Sequence, residues 1–354
     1  MRDCGEWAGC GIILRKVRFK MKMSRRNFIV GAAGTLGVSA SAVNIPAEAR
    51  KGALGKIVGE LPPGRYDSHI HVYPGDPAPD ELVGSLAAAG LAGGCIFSEF
   101  PVKWDRNYGD PLPPEQSVER VIEWASASPT IYPFYWIDPA RPDACELVDM
   151  AVEKGIYGFK VIRYDGRPVD EKSLPVYRRI AHHGRPVTFH SGILWDGRAS
   201  SDNFRPANWE EILAVPRLRF ALAHISWPWC DECIAVYGKL LNAILNNGED
   251  TPEMFIDTTP GTPKIYRRDA LVKLHTIGYD VRDHIMFGSD CGVKNYNVKW
   301  TKDWLSFDDS VYGELALDAE KVDSVYRKSL ERYLFGGGNS NREIPTPDGV
   351  KRKS

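Results

Sequence analysis

Seven short stretches of the chain follow one another in a rhythm, and five of them carry groups that could do chemistry. The five are Tyr66-Asp67-Ser68-His69-Ile70-His71-Val72, Gly158-Phe159-Lys160, Val187-Thr188-Phe189-His190, Leu222-Ala223-His224 and Met286-Phe287-Gly288-Ser289-Asp290. Each holds or closes a short apolar run and offers a side chain able to bind a metal or move a proton. The other two runs, ending near Glu99 and Asp138, keep the rhythm without a histidine. In a strand, residues two apart point the same way at about 6–7 Å, so His69 and His71 can converge on one divalent ion. Two surface histidines on a half-exposed strand would show the same spacing. The company they keep decides: of 8 His in the chain, half stand in these runs, where a structural residue would more often be Val or Ile. Together the residues read as a metal site.

Such a site needs elements that bring strand ends together. Strand-like runs fall at 66–72, 92–98, 131–137, 156–162, 186–190, 218–224, 253–258 and 284–289. Helical patterns lie between and after them, at 81–89, 115–127, 144–154, 173–183, 209–214, 232–246, 267–277 and 319–334. Strict alternation predicts a parallel sheet with right-handed crossovers, and eight such units are what a closed (β/α)8 TIM barrel requires. No repeat or low-complexity linker interrupts them, so one α/β domain is expected over residues 50–340, followed by a polar tail at 341–354. Two connections are long, 192–207 after strand 5 and 292–314 after strand 8, and both are expected to be covers over the mouth.

Composition narrows the classes. With 354 residues, 43% of them hydrophobic, the chain can bury a large core, and a formal net charge of −1 gives no electrostatic footprint for nucleic acid. Residues 1–49 read as an address label. Ser24-Arg25-Arg26-Asn27-Phe28-Ile29 is a twin-arginine pattern, a glycine-broken apolar stretch follows, and Ala47-Glu48-Ala49 offers a cleavage site. The apolar stretch is too short to span a bilayer comfortably, so the expectation is a periplasmic or extracellular protein delivered by the Tat translocon, with no stable membrane insertion. Met21 or Met23 as the initiator would make residues 1–20 an extension. Cys230-Asp231-Glu232-Cys233 is a lone CxxC, read as a disulfide or a plain pair of thiols ahead of a redox device.

From about Tyr66 to Phe335 the chain resembles the amidohydrolase superfamily. The likeness is greatest to its amidohydrolase-2 branch, that of aminocarboxymuconate-semialdehyde decarboxylase, resorcylate decarboxylases and dicarboxylate lactonases. It rests on Asp67-x-His69-x-His71, Gly158-Phe159-Lys160, Phe189-His190, Ala223-His224 and Gly288-Ser289-Asp290. The resemblance implies that His69, His71, His190 and Asp290 ligate one divalent metal, zinc by preference, with His224 beside it as proton shuttle or carbonyl polariser. In binuclear relatives the strand-4 lysine is carboxylated and bridges two metals. The Gly-Phe-Lys form implies one metal, with Lys160 as a cation facing the substrate or just behind the ligands. After His224 the chain reads Ile225-Ser226-Trp227-Pro228-Trp229 where relatives often have glycines, and its final helix has Arg327-Lys328-Ser329-Leu330 in place of an Asn-Ala pair. These departures bear on the subfamily, not on the metal site.

Three histidines and a carboxylate around zinc leave a position open, which lowers the pKa of a bound water to about 7 and polarises a carbonyl. Asp290 would take the proton and His224 would steady the oxyanion or protonate the leaving group. Asp67, two residues before His69, is expected to support the ligands from behind or to serve as a carboxylate of the barrel floor. Arg163 is expected to hold a substrate carboxylate, or else to lie on the surface. The first functional expectation is hydrolysis of a small amide, ester or lactone. The second is a metal-dependent lyase, decarboxylating or hydrating an unsaturated or aromatic acid. A third is a non-catalytic exported binding protein. The partner is a small molecule in each case, and a homo-oligomer is compatible with all three.

Overall fold

A computed structural model describes residues 59–73, 80–102, 110–163 and 165–336 of the chain. The twin-arginine segment, Ala47-Glu48-Ala49 and the 341–354 tail lie outside the described residues. The chain alternates strand and helix: β1 Tyr66–His71, α1 Asp80–Ala89, β2 Gly93–Phe97, α2 Pro114–Ala125, β3 Ile131–Trp136, α3 Ala144–Lys154, β4 Gly158–Val161, α4 Ser173–His182 and β5 Val187–Phe189. A 3-10 helix over Pro206–Ala214 precedes β6 Arg219–Leu222, and α5 Cys230–Asn247, β7 Glu253–Asp257, α6 Lys264–Thr276, β8 Ile285–Met286 and β9 Cys291–Gly292 follow. All neighbouring strands are parallel, in the order β8-β7-β6-β5-β4-β3-β2-β1-β9.

β8 and β9 are two halves of one broken strand that closes the ring. β8 pairs with β7, and β9 pairs with β1 through Ile70↔Cys291 and His71↔Gly292. Between the halves, Ser68 N donates to Phe287 O at 2.9 Å and Asp290 N to His69 O at 3.0 Å. The result is the expected TIM barrel.

Two apolar clusters sandwich the barrel wall. The inner one joins Tyr66, Phe97, Phe134, Trp136 and Phe255 to Leu330, Tyr333 and Leu334, so the last helix, α9 Ser329–Phe335, seals the end where the strands begin. Tyr333 donates to, or accepts from, Thr188 Oγ1 at 2.8 Å and stacks on Phe134. The outer cluster, including Ile70, Val72, Phe159 and Leu222, faces the helices. Tyr66 thus points in while Ile70 and Val72 point out, which strict alternation forbids. An irregularity in the β1–β2 register between Asp67 and Ile70 makes the change, and it turns His69 and His71 into the barrel.

The 292–314 connection is not irregular loop. Most of it is α7, Val298–Glu314, with the Asn297 side chain accepting from Trp300 N at its start. Its buried face is Thr301, Trp304, Leu305, Asp308, Val311 and Tyr312. That is helical spacing, but two of its members are polar and mask the stripe in sequence. The expected 319–334 helix is divided by a π turn at Ser324–Lys328 between α8 Ala319–Asp323 and α9. Among the described residues no helix is long and apolar enough to cross a membrane. Cys230 and Cys233 are free buried thiols, and burial pushes them up to about 11 and about 12, so no disulfide joins them.

Candidate metal centre

The C-terminal end of β1 delivers two imidazoles to one point. His69 Nε2 and His71 Nε2 are 3.1 Å apart, His71 Nε2 is 3.1 Å from Asp290 Oδ1, and His69 Nε2 is 3.6 Å from the same oxygen. Ligands bound tetrahedrally at 2.0–2.2 Å stand about 3.3–3.6 Å from one another, so the triangle has the size of one face around a shared ion. Burial, then Lys160 and His71, holds His69 well below its ordinary pKa, and burial lowers that of His71 against the pull of Asp290. The shifts favour the neutral form of both rings, in which each offers a lone pair. Burial pushes the Asp290 carboxyl up, but the hydrogen bond from His71 and the neighbouring imidazoles outweigh it and hold it at about 2. Its side chain is 37% exposed and opens onto the mouth.

Sequence reasoning missed Asp257. This buried residue ends β7, and its Oδ2 lies 2.6 Å from His69 Nδ1. Its Oδ1 accepts from Thr259 N at 2.8 Å and from the Thr259 hydroxyl. A carboxylate in that position keeps the proton on Nδ1 and turns the Nε2 lone pair toward the other ligands. Space behind His69 is so tight that a Cβ at Gly288 would stand 2.7 Å from His69 Cβ and 2.4 Å from Thr259 Oγ1.

Lys160 enters the same cluster. Its Nζ is 3.2 Å from His69 Nε2 and lies over the rings of Phe97 and Trp136. Burial lowers its pKa to about 8 against the pull of Asp257 and Asp290. His224 sits just past β6 in a left-handed turn with φ of 63°. Its ring centroid is 5.4 Å from that of His69 and 5.0 Å from that of His190. Its backbone oxygen accepts from Thr262 Oγ1 at 2.7 Å, and Gly261 leaves room for the ring, since a Cβ there would stand 3.2 Å from Nδ1.

His190, Asp67 and Arg163 complete the set of residues that the sequence reading names. His190 is outside the His69–His71–Asp290 triangle. Its ring bonds to the Ile193 backbone and lies edge-on to Phe204, which turns it toward His224. Its Nε2 is nevertheless buried without a hydrogen-bond partner. Asp67 does not touch the ligand rings, because the β1 irregularity ends the shared face. Its Oδ1 accepts from His69 N at 3.0 Å and Ser289 N at 2.9 Å, and its Oδ2 accepts from the Tyr296 hydroxyl at 2.7 Å. Arg163 is buried, not on the surface, but its fork is engaged by Asp165 at 2.6 Å and Asp170 at 2.8 Å. It organises the loop before α4 instead of waiting for a substrate carboxylate.

No family model and no curated protein sequence matches the chain. Solved structures do. A dihydropyrimidinase from Brevibacillus agri is 11% identical with a TM-score of 0.53, over 77% of this chain and 71% of that one. A Staphylococcus aureus protein assigned to the amidohydrolases is 11% identical with a TM-score of 0.50, over 76% of this chain and 98% of its own. The chain shares their fold. At such identities the likeness is one of architecture, and the chemistry rests on the residues described above.

Proposed function

We propose that the chain is a metal-dependent hydrolase of the amidohydrolase superfamily, from its amidohydrolase-2 branch, acting on a small amide, ester or lactone. The observation that carries this reading is the triangle of His69 Nε2, His71 Nε2 and Asp290 Oδ1 at the mouth of the barrel. These three would hold one divalent ion, and the unpartnered Nε2 of His190 is the fourth donor the set has to offer. Mixed nitrogen and oxygen donors suit zinc. A bound ion supplies Lewis acidity, which makes water a nucleophile near neutral pH and polarises the substrate carbonyl.

The chain's own groups do the rest. Asp290, ionised and partly open to the mouth, takes the proton of the attacking water. His224, across from His69, stands where it can return a proton to the leaving nitrogen or oxygen. Lys160, with its pKa lowered to about 8, provides a cation whose charge is held loosely. The lyase alternative draws on the same ligand set, but Arg163, committed to Asp165 and Asp170, offers it no carboxylate clamp.

Purified protein offered lactones, esters and amides should turn over at least one class, lose the activity to a chelator and regain it with Zn2+. His69→Ala should lose metal and activity together. His224→Ala should keep most of its metal while its rate falls about 10²–10⁴-fold. Turnover that persists in chelator would contradict the reading, and metal loss in His224→Ala equal to that of His69→Ala would make His224 a ligand. Export through the twin-arginine route is part of the same proposal, resting on Arg25 and Arg26. Lysine at both positions should leave the protein in the cytoplasm, since the signal is read by a receptor.

A further inference from the structure

Asp290 does not sit in a regular strand. The eighth strand breaks between β8 and β9, and Asp290 holds φ at 60°, a left-handed conformation that persists in a non-glycine residue only where its neighbours over-determine it. The neighbours do so from behind the carboxylate. Ser289 N donates to Asp67 Oδ1, Asp290 N to His69 O, and Cys291 N to Ser289 Oγ, at 2.9, 3.0 and 3.1 Å. Ser289 O, the carbonyl of the Ser289–Asp290 peptide, accepts from the Trp300 indole N–H at 3.0 Å. Asp67 in turn is fixed by the Tyr296 hydroxyl at 2.7 Å. One buried carboxylate therefore ties the peptide of a β1 ligand to the Ser289 N–H just before the Asp290 ligand, and Tyr296, ahead of α7, and Trp300, in its first turn, close the arrangement.

We propose that Tyr296 and Trp300 are positioning residues for the metal centre, acting through Asp67 and the Ser289 carbonyl to keep Asp290 Oδ1 opposite His69 and His71. The inference rests on the metal-site reading above. α7 has anchors besides these two bonds. The helix is capped by Asn297 Oδ1 accepting from Trp300 N at 3.0 Å, and Trp304, Leu305 and Val311 are buried against the barrel. Trp300 is 42% exposed, so its ring adds little to the core, yet its single N–H goes to the carbonyl beside a ligand. Outer partners of this kind set the orientation of ligands and with it the affinity for the ion.

The test is a Zn2+ titration of the full metal-stripped chain against a chelator of known affinity, with melting of the metal-free proteins followed alongside. Tyr296→Phe and Trp300→Phe should each weaken Zn2+ binding about 10–100-fold while the metal-free melting temperature stays near that of the wild type. The visible bands of Co2+-loaded Tyr296→Phe should shift, because Asp290 is no longer held at one orientation. Unchanged affinity in both variants overturns the proposal. So does a fall in melting temperature with affinity intact, the mark of a merely structural role. Should Tyr296→Phe fail to fold, Trp300→Phe decides alone, since it alters only a half-exposed ring. A wild-type chain that takes up no Zn2+ overturns the metal-site reading and this inference with it, an outcome distinct from equal affinities.

Discussion

Asp257 decides which nitrogen of His69 faces the mouth. With Oδ2 2.6 Å from Nδ1, it holds the proton there, and the lone pair on Nε2 is left to the cluster. An asparagine in its place can present an N–H to the same nitrogen, and the ring then gains nothing from that tautomer. Asp257→Asn should weaken metal binding about 10–100-fold, measured by chelator competition, with the metal-free fold retained. Equal affinity would show that the carboxylate is there for Thr259 alone. The rule that finds His190 and His224 reaches Asp257 as well, because it closes Met254-Phe255-Ile256 at a strand end. A lone acid with no histidine beside it carries no metal signature of its own, so the sequence passes over it. Arg163 fails for a different reason: two aspartates within seven residues take its fork, and nothing in their spacing says they will fold back.

At the scale of elements, the barrel strands were legible because each is a short apolar run with turn residues on both sides. The irregularity in β1 was not, since reading a strand assumes the period of two that it violates. Nor was α7, whose buried stripe includes Thr301 and Asp308. Asp308 is buried because Arg267 of α6 meets it: both side chains are fully buried, with Arg267 Nε 2.6 Å from Asp308 Oδ1. The pair joins α6 to α7, and Trp304 lies over the guanidinium at 5.0 Å. Removing one partner strands the other charge in the interior, so Arg267→Leu should cost about 3–5 kcal/mol of stability, whereas replacing both residues with apolar ones should recover most of it. Denaturant melts of the single and double variants check this. A single variant as stable as the wild type would mean that water reaches the pair.

The whole molecule has two unlike ends. At the closed end, Glu253 at the start of β7 accepts from His284 Nε2 at 2.8 Å and from the Arg332 guanidinium of α9. Burial pushes this carboxyl up, but His284 and Arg332 outweigh it and hold it near about 2, against an ordinary value of 4.5. A carboxyl depressed on folding adds stability that is complete above its unfolded pKa and lost as pH falls toward the folded one. The wild type should therefore exceed Glu253→Gln in melting temperature near neutrality, with the gap closing between about pH 4.5 and 2. A gap that stays constant with pH would assign the stability to shape alone.

The open end has a seam. From β2 to β7 the strands are held by continuous ladders, but between β7 and β1 the ring depends on two dipeptides and the few hydrogen bonds between them. His69 and His71 stand on one lip of that seam and Asp290 on the other, so an ion bound by all three is a rivet through the joint. Under the metal-site proposal, the free energy of binding would reinforce the ring where the cylinder is thinnest. Stripping the ion should speed amide exchange at Ser68, Asp290 and Val293, the residues that bond across the seam, and leave the β3–β5 ladder as slow as before. With such an ion bound, a barrel of this build would be a strip of sheet fastened at its seam, and its readiness to open would follow the supply of metal around it.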